Sequence, residues 1–310
     1  MRRDFDDDLA GLMLRNYLPA AGTSFQTLPV CPRGMPWAVV SEYSSPLASA
    51  LAWGDSPGSS LFSPRSRQIV RYVPAEPNLS TGTEAMFAGH YGVSYAVRPL
   101  EAHLPLWIWF IAVQWLDVVW SLLVFLGIER LNIVPGFTEA NALDLYYMPY
   151  THGLPGSIVL SLILGGVVAL FTSGKPVRTV LLVAAASFSH WILDLIVHVP
   201  DLPLYDNTAK VGLGLWRHVA VSFPLELLVL GAGAWLYARS AAFSGAKGRY
   251  LYWGFVVFLG LFQVYANFGP PPATPQSMGM IALSLYAVLA LLAGLVERFA
   301  IAPAGSYSMR

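Results

Sequence analysis

From Leu104 onward the chain carries six apolar segments, each about as long as a helix that crosses a bilayer. They cover residues 104–128, 153–172, 179–199, 217–238, 250–268 and 278–299. A spanning helix needs about 20 consecutive, mostly apolar residues. Segments that contain Pro, Gly and most of the remaining charge separate the six. The sequence therefore predicts an all-α fold, a polytopic transmembrane helical bundle of about six spans within residues 86–302.

The composition excludes several other classes of protein. With 55% hydrophobic and 12% charged residues, the chain is far from the balance of a soluble domain. The formal net charge is zero, so nothing favours nucleic acid as a partner. Cys31 is the only cysteine, which excludes an intramolecular disulfide and a thiolate-rich metal site. Any metal ligands must therefore be His, Asp or Glu.

Residues 1–85 differ in character from the rest of the chain. They contain nine prolines and many Ser and Gly, and no apolar run approaches the length of a spanning helix. Arg2 and Arg3 precede an acidic cluster rather than an apolar stretch, which argues against a signal peptide. We expect this region to be disordered, or not to belong to the native protein, in which case translation starts at Met86. Residues 303–310 form a short tail.

Basic residues predict how the bundle is oriented. Those next to the spans fall mainly on one side: Arg98, Lys175, Arg178, Arg239, Lys247, Arg249, Arg298 and Arg310. By the positive-inside rule this side faces the cytoplasm, together with both termini. We therefore expect a multi-pass protein of the inner (plasma) membrane, surrounded by membrane lipid.

Ionisable residues interrupt the apolar segments. Asp117 lies in the first segment, His190 and Asp194 lie in the third, and His152 directly precedes the second. An ionised side chain at the centre of a spanning helix costs about 2.5–3.5 kcal/mol, so these residues need partners inside the bundle. Such residues mark metal sites, ion pathways or proton relays. A polar cluster that only holds helices together is the alternative.

His190, Asp194 and His198 follow one another at four-residue steps on the third segment. Each step rises about 6 Å and stays near one face of a helix, so neighbouring members can bind the same ion. The outer two are about 12 Å apart along the axis, whereas bonds from His to a metal are about 2 Å long. We therefore predict that His190 and Asp194 are metal ligands and that His198 supports a ligand or contacts the substrate.

Three histidines and two aspartates from different parts of the chain form a candidate set of metal ligands. They are His90, Asp117, His152, His190 and Asp194, which suit zinc or another divalent first-row metal. Their depths predict a pocket in the outer half of the bilayer, provided that residues 86–98 form a short buried helix. Beside the ligands we expect His198, Arg217, His218 and Glu226. For Arg217 and His218, anchoring at the membrane interface is the alternative.

Four short motifs also carry a resemblance to a known family. They are Gly89-His90, Leu116-Asp117, Tyr150-Thr151-His152-Gly153 and Ser189-His190 followed by Asp194, and Pro200-Asp201-Leu202-Pro203 adds to them. In this order they resemble the bacterial inner-membrane proteins called membrane-bound metal-dependent hydrolases, over residues 86–204. The resemblance implies a helical membrane protein in which these His and Asp residues bind a metal.

The expected function is metal-dependent hydrolysis of an ester or phosphoester, with zinc as the expected metal. A lipid-like or small-molecule substrate fits a site at membrane depth. Two alternatives remain open. One is a small transporter or permease whose His and Asp residues form an ion or proton site, and the other is a structural membrane protein.

A chain that starts at Met86 should insert into the membrane as the full chain does, because residues 1–85 contain no predicted span. A reporter fused to its C-terminus should lie in the cytoplasm, since the basic residues predominate on that side. Membrane fractionation and paired C-terminal reporters, one active inside the cell and one active outside, measure both properties. A soluble product or an outward-facing reporter would contradict this prediction.

Overall fold

The computed structural model describes residues 88–172 and 175–302, which fold mainly as α-helices. The helices in this part of the chain are α1 (Ala88–Val97), α2 (Leu106–Val113), α3 (Trp115–Phe125), α4 (Leu154–Leu170), α5 (Pro176–Val197), α6 (Val219–Ser240), α7 (Gly245–Phe268) and α8 (Pro275–Ala300). Two antiparallel hairpins lie between them, β1 (Arg130–Ile133) with β2 (Leu143–Tyr147), and β3 (Leu202–Tyr205) with β4 (Thr208–Val211). The predicted helical bundle is therefore confirmed in outline, with two hairpins added. The predictions for residues 1–85, for a start at Met86 and for the tail 303–310 fall outside the described residues.

Four of the described helices are long and apolar enough to cross a membrane. These are α5, α6, α7 and α8, with 22, 22, 24 and 26 residues. The pair α2 and α3 adds a fifth candidate if it is counted as one bent span. Helix α4 has 17 residues, a length of about 26 Å against a hydrocarbon core of about 30 Å. All six predicted segments are helical, but six full spans are not confirmed.

The first predicted span is not one straight helix. Helices α2 and α3 meet at Gln114 with a bend of 56°. The carbonyl of Val113, the last residue of α2, accepts a hydrogen bond of 2.8 Å from the ring of His190 on α5. A side chain that inserts into the backbone hydrogen-bond ladder is a known cause of such bends. The bend places Asp117 in the first turn of α3, where the helix dipole stabilises a carboxylate.

Helix α1 lies inside the bundle. Seven of its ten residues are buried, and His90 is one of them. Over residues 88–97, this meets the condition that His90 needs to reach the predicted pocket. It packs mainly against α6. The two backbones meet at Gly92 and Gly233, where a Cβ on Gly233 would overlap the Gly92 carbonyl oxygen. Only glycine allows this close approach, which brings α1 to the centre of the bundle.

Neither hairpin is among the sequence predictions. The strands have only four or five residues, too few to give a clear alternation of polar and apolar residues. A two-residue turn, Asp206-Asn207, joins β3 to β4, and Asp206 has the left-handed φ of 51° that tight hairpin turns require. Asn207 and Lys210 donate hydrogen bonds to the Tyr146 carbonyl. The hairpins therefore contact each other at one end of the bundle.

Large apolar side chains cover the outside of the helices. Examples that are more than 40% exposed are Leu162, Val167, Leu181, Leu228, Leu261 and Leu291. A soluble monomer rarely exposes so many large apolar side chains, whereas lipid tails solvate them well. Helix length, composition and surface therefore agree with a membrane protein.

Gly233→Ala should lower the free energy of unfolding by about 1–3 kcal/mol, the usual cost of overpacking a tight contact. Gly231→Ala is the matched control on the same helix, because no atom lies within 4 Å of the added Cβ. The control should be neutral or slightly stabilising, since Ala favours helix over Gly by about 1 kcal/mol. Thermal unfolding in detergent measures both variants. Equal melting temperatures for the two would contradict the close contact of α1 with α6.

Candidate metal centre

Three helices and one loop bring the five predicted ligands together. His90 lies on α1, Asp117 lies on α3, and His190 and Asp194 lie one turn apart on α5. His152 lies in the loop that leads into α4. The three imidazoles and Asp194 are at most 3% exposed, and the Asp117 side chain is 19% exposed. The five residues form one buried cluster.

The contacts inside this cluster have the spacing of ligands around an ion. His190 Nε2 lies 3.4 Å from Asp117 Oδ1 and 3.1 Å from Asp194 Oδ2. His152 Nε2 lies 3.3 and 3.5 Å from the same two oxygens, and His90 Nε2 lies 3.4 Å from Asp194 Oδ1. Two ligands bonded at about 2.05 Å to one tetrahedral ion are separated by about 3.3 Å. The measured separations lie around this value.

Two histidine–carboxylate contacts elsewhere among the described residues are shorter. His198 Nδ1 lies 2.8 Å from Asp201 Oδ1, and His103 Nδ1 lies 2.9 Å from Glu101 Oε1. Both distances are typical of a charge-assisted hydrogen bond. The contacts among the five clustered residues are all longer. The His–Asp contacts of the cluster are therefore longer than these two hydrogen bonds, and their length is compatible with an ion between the ligands.

Two groups of three residues within the cluster could hold a metal ion. One is His90, His190 and Asp194, and the other is Asp117, His152 and His190, each with its ligand atoms within 4.8 Å of one another. Both sets contain two imidazoles and one carboxylate, which leaves a coordination position for water. The Nδ1 of the shared His190 is already hydrogen-bonded, so only its Nε2 can bind a metal. Because this nitrogen binds one ion, the two groups are alternative positions for a single ion through His190.

Hydrogen bonding fixes which nitrogen of His190 faces the carboxylates. The Val113 carbonyl oxygen only accepts, so Nδ1 must carry the proton and donate. Nε2 then presents its lone pair to the cluster, the form in which imidazole binds a metal. The carbonyl is available because it lies at the C-terminus of α2, where helix carbonyls lack partners within the helix. The bend at Gln114 thus orients His190.

His152 is anchored in the same way by Glu129 through Thr151. Its Nδ1 lies 2.9 Å from the Thr151 hydroxyl, which itself donates to Glu129 and therefore accepts from the ring. The buried Glu129 carboxylate also accepts from the amides of Tyr150 and Thr151, at 2.8 and 3.0 Å. Burial raises the pKa of the Glu129 carboxyl, while these hydrogen bonds oppose the rise. His152 therefore also presents Nε2 to the carboxylates.

A pocket of about 40 Å³ opens beside Asp117, His152 and Asp194. This volume accommodates about three water molecules. The Tyr286 hydroxyl on α8 donates a hydrogen bond of 2.8 Å to Asp117 Oδ2 at the pocket wall. The remaining wall is mostly apolar and includes Trp120, Leu143, Leu145, Met148, Trp216 and Met278. The cluster thus borders a small, largely apolar space next to the hairpin β1–β2.

Of the four residues predicted beside the ligands, His198 lines the pocket. Its Nε2 lies 3.7 Å from Asp194 Oδ1, and its Nδ1 contacts Asp201. Arg217 and His218 are exposed, and neither lines the pocket. Glu226 is fully buried on α6 but also does not line the pocket. A role for these last three residues remains a prediction.

Sequence reasoning assigned no role to Glu129 or Tyr286. Both lie far from the cluster in sequence and come close to it only in the folded chain. Glu129 is 22 residues from Thr151, and Tyr286 is 169 residues from Asp117. Thr151 carried a signal, because it stands directly before His152 in the quoted motif. A search for hydrogen-bonding residues next to each predicted ligand would have identified it.

Comparison of the chain with protein-family models, with curated proteins and with solved structures finds no match. The resemblance to metal-dependent hydrolases therefore remains a prediction that rests on the motifs quoted above. The geometry of the cluster supports its interpretation as a metal site independently.

Thr151→Val should weaken metal binding about 10–100-fold, the usual effect of removing the outer partner of a ligating histidine. Valine keeps the shape of threonine but cannot accept the proton on His152 Nδ1. Thr151→Ser keeps the hydroxyl and should bind the metal nearly as tightly as the unchanged protein. Titration of the metal-free protein with Zn²⁺ against a competing chelator measures these affinities. Equal affinities for the Val and Ser variants would contradict the role of Thr151.

Proposed function

We propose that this protein is a membrane-embedded, metal-dependent hydrolase. The observation that carries the proposal is the buried His and Asp cluster, whose contacts of 3.1–3.5 Å match ligand separations and which borders a pocket. Zinc is the proposed metal, because two imidazoles and one carboxylate are a common ligand set of catalytic zinc. Bound there, it would bring the pKa of a water molecule toward neutrality and polarise the oxygen of an ester.

The group of Asp117, His152 and His190 is the better candidate for the catalytic position. Asp117 and His152 line the pocket, so a substrate can reach this group. Asp194 also lines the pocket and contacts both imidazoles, which suits it to accept a proton from an attacking water. His90 contacts the other oxygen of Asp194 and holds that carboxylate in place.

Charge balance supports a divalent ion in this cluster. With neutral imidazoles, the two carboxylates together carry the charge that neutralises one divalent cation. A neutral centre avoids most of the cost of isolated charges in an apolar bundle. A cluster that served only to join helices would gain more from hydrogen bonds near 2.8 Å than from the longer contacts observed.

The pocket wall favours an uncharged or singly charged ester with an apolar part. Of the described residues that line the pocket, none is Lys or Arg, whereas a phosphate monoester carries about two negative charges that need cationic partners. The Trp, Leu and Met side chains around the pocket suit an apolar group, and a volume of about 40 Å³ admits only the reacting end of a longer acyl chain. We therefore propose a lipid-like carboxylic ester or phosphodiester as the substrate.

We assign the protein to the inner membrane, with both termini in the cytoplasm. Arg98 pairs with Glu297, and Arg178 pairs with Glu101, at the end of the bundle opposite the hairpins. By the positive-inside rule this basic end is cytoplasmic. The pocket beside the hairpin β1–β2 then lies in the outer half of the bilayer.

A small transporter with a proton or ion site is the second candidate. In its favour, the polar contacts continue from Asp194 to His198 and on to Asp201 beside the hairpin β3–β4. Such a series of His and Asp residues can relay protons. A relay needs no tightly bound metal, so metal analysis separates the two functions.

His190→Ala should remove the metal, because His190 belongs to both ligand groups. The purified protein should contain about one zinc per chain, and the variant should contain less than about a tenth of that amount. His103→Ala is the matched control, since His103 pairs with Glu101 away from the cluster and should leave the metal content unchanged. Elemental analysis measures the metal, and a panel of fluorogenic acyl esters and phosphodiesters measures hydrolysis.

Retention of the metal by His190→Ala would contradict the site. A metal-free protein that hydrolyses none of the esters, but moves protons when reconstituted in vesicles, would favour the transporter instead.

A further inference from the structure

A second concave site lies at the basic end of the bundle, between the end of α6 and the start of α7. We call it the arginine groove, and its volume is about 680 Å³. Among the residues that line it are Arg239, Ala242, Phe243, Ala246, Arg249 and Trp253. It is separate from the His and Asp cluster, with which it shares no lining residue.

The two arginines of the groove are held by aromatic rings. The Arg239 guanidinium lies 4.7 Å from the centre of the Trp235 ring, and the Arg249 guanidinium lies 5.7 Å from the centre of the Phe243 ring. Both distances are within the range of a cation–π interaction. Such contacts limit the conformations of a side chain that otherwise rotates freely, so the guanidinium groups are partly preorganised.

Neither arginine has a carboxylate partner among the described residues. Within residues 88–172 and 175–302, no Asp or Glu oxygen lies within 4.0 Å of Arg239 or Arg249. By contrast, Arg98 and Arg178 at the same end of the bundle form ion pairs. Arg98 Nε lies 2.6 Å from Glu297 Oε1, and Arg178 Nε lies 3.0 Å from Glu101 Oε2. The described part of the chain therefore leaves the positive charge of the groove available to an anion.

The position of the groove identifies the source of that anion. Helices α6 and α7 are both long and apolar enough to cross a membrane, and the groove lies where one ends and the other begins. Trp235 and Trp253 stand beside it, as expected for aromatic residues at the level of the lipid headgroups. The abundant anionic group at this depth is the phosphate of phospholipids, which a guanidinium can bind with two parallel hydrogen bonds.

We propose that the arginine groove binds the headgroup of an anionic phospholipid from the leaflet at the basic end of the bundle. Arg239 and Arg249 bind the phosphate, while Phe243 and Trp253 contact the glycerol and the first part of the acyl chains. The site does not depend on the proposed hydrolase activity, because it lies outside the pocket of the metal centre.

Native mass spectrometry of the full chain in neutral detergent tests the proposal. Dioleoylphosphatidylglycerol is titrated against the unchanged protein and against Arg239→Gln/Arg249→Gln. Each arginine near an anionic headgroup contributes about a fivefold factor to the affinity. The double variant should therefore bind this lipid about 25-fold more weakly. Lys247→Gln is the matched control, since Lys247 is an exposed cation in the first turn of α7 that does not line the groove. It should change the affinity less than about twofold.

Two further titrations identify the occupant. Zwitterionic dioleoylphosphatidylcholine should bind weakly and equally to all three proteins, and excess inorganic phosphate should not displace bound phosphatidylglycerol. Thermal unfolding verifies that the variants are folded. The proposal is wrong if the double variant keeps its affinity for phosphatidylglycerol. It is also wrong if Lys247→Gln loses as much affinity as the double variant, since general surface charge would then explain the binding. Displacement by inorganic phosphate alone would also overturn it in favour of a site for free anions.

Discussion

Two carboxylates inside the helical bundle, the partly buried Asp117 and the buried Asp194, impose the constraint on which the rest of this structure depends. Without a partner, each would cost about 2.5–3.5 kcal/mol at the centre of an apolar helix. Besides the Tyr286 hydroxyl on Asp117, their main partners among the described residues are imidazoles that arrive from three directions, His90 from α1, His152 from the loop before α4, and His190 from α5. Helix α1 must therefore enter the bundle, and its close glycine contact with α6 allows it to do so. The long His–Asp distances then leave room for a cation that compensates both carboxylates at once.

The bend between α2 and α3 belongs to the same arrangement. A straight helix through Gln114 would use the Val113 carbonyl in its own hydrogen-bond ladder. The break instead turns that carbonyl toward His190. The hydrogen bond between them fixes the orientation of the imidazole ring and keeps the proton on Nδ1. It also starts a new helix just before Asp117, so that the carboxylate lies near the positive end of the α3 dipole. A local loss of helix geometry thus orients two of the proposed ligands.

Much of this architecture could be predicted from the sequence, because its causes are local. Long apolar segments determine where the helices lie, and the 3.6-residue period puts His190 and Asp194 one turn apart. The remaining features depend on contacts between distant parts of the chain. The bend at Gln114 goes with the hydrogen bond from His190 on α5 to the Val113 carbonyl. His152 is anchored through Thr151 by Glu129, which lies 22 residues before Thr151 in the sequence. The hairpins are too short to give a periodic pattern. The exposed position of Arg217 follows from the path of the chain after β4, which turns the neighbouring Trp216 toward the pocket instead.

The ligands and much of the pocket wall come from different kinds of structure. Four of the five clustered residues lie on helices packed in the core, whereas Leu143 and Leu145 of the wall lie on the hairpin β2 strand and Trp216 lies in the segment before α6. Connecting segments accept sequence change far more readily than core helices do. Exchanging the hairpin residues would therefore reshape the pocket while leaving the clustered His and Asp side chains in place. In the proposed hydrolase, this architecture would separate reactivity from selectivity, and directed evolution of the hairpins alone would be a route to an altered substrate range.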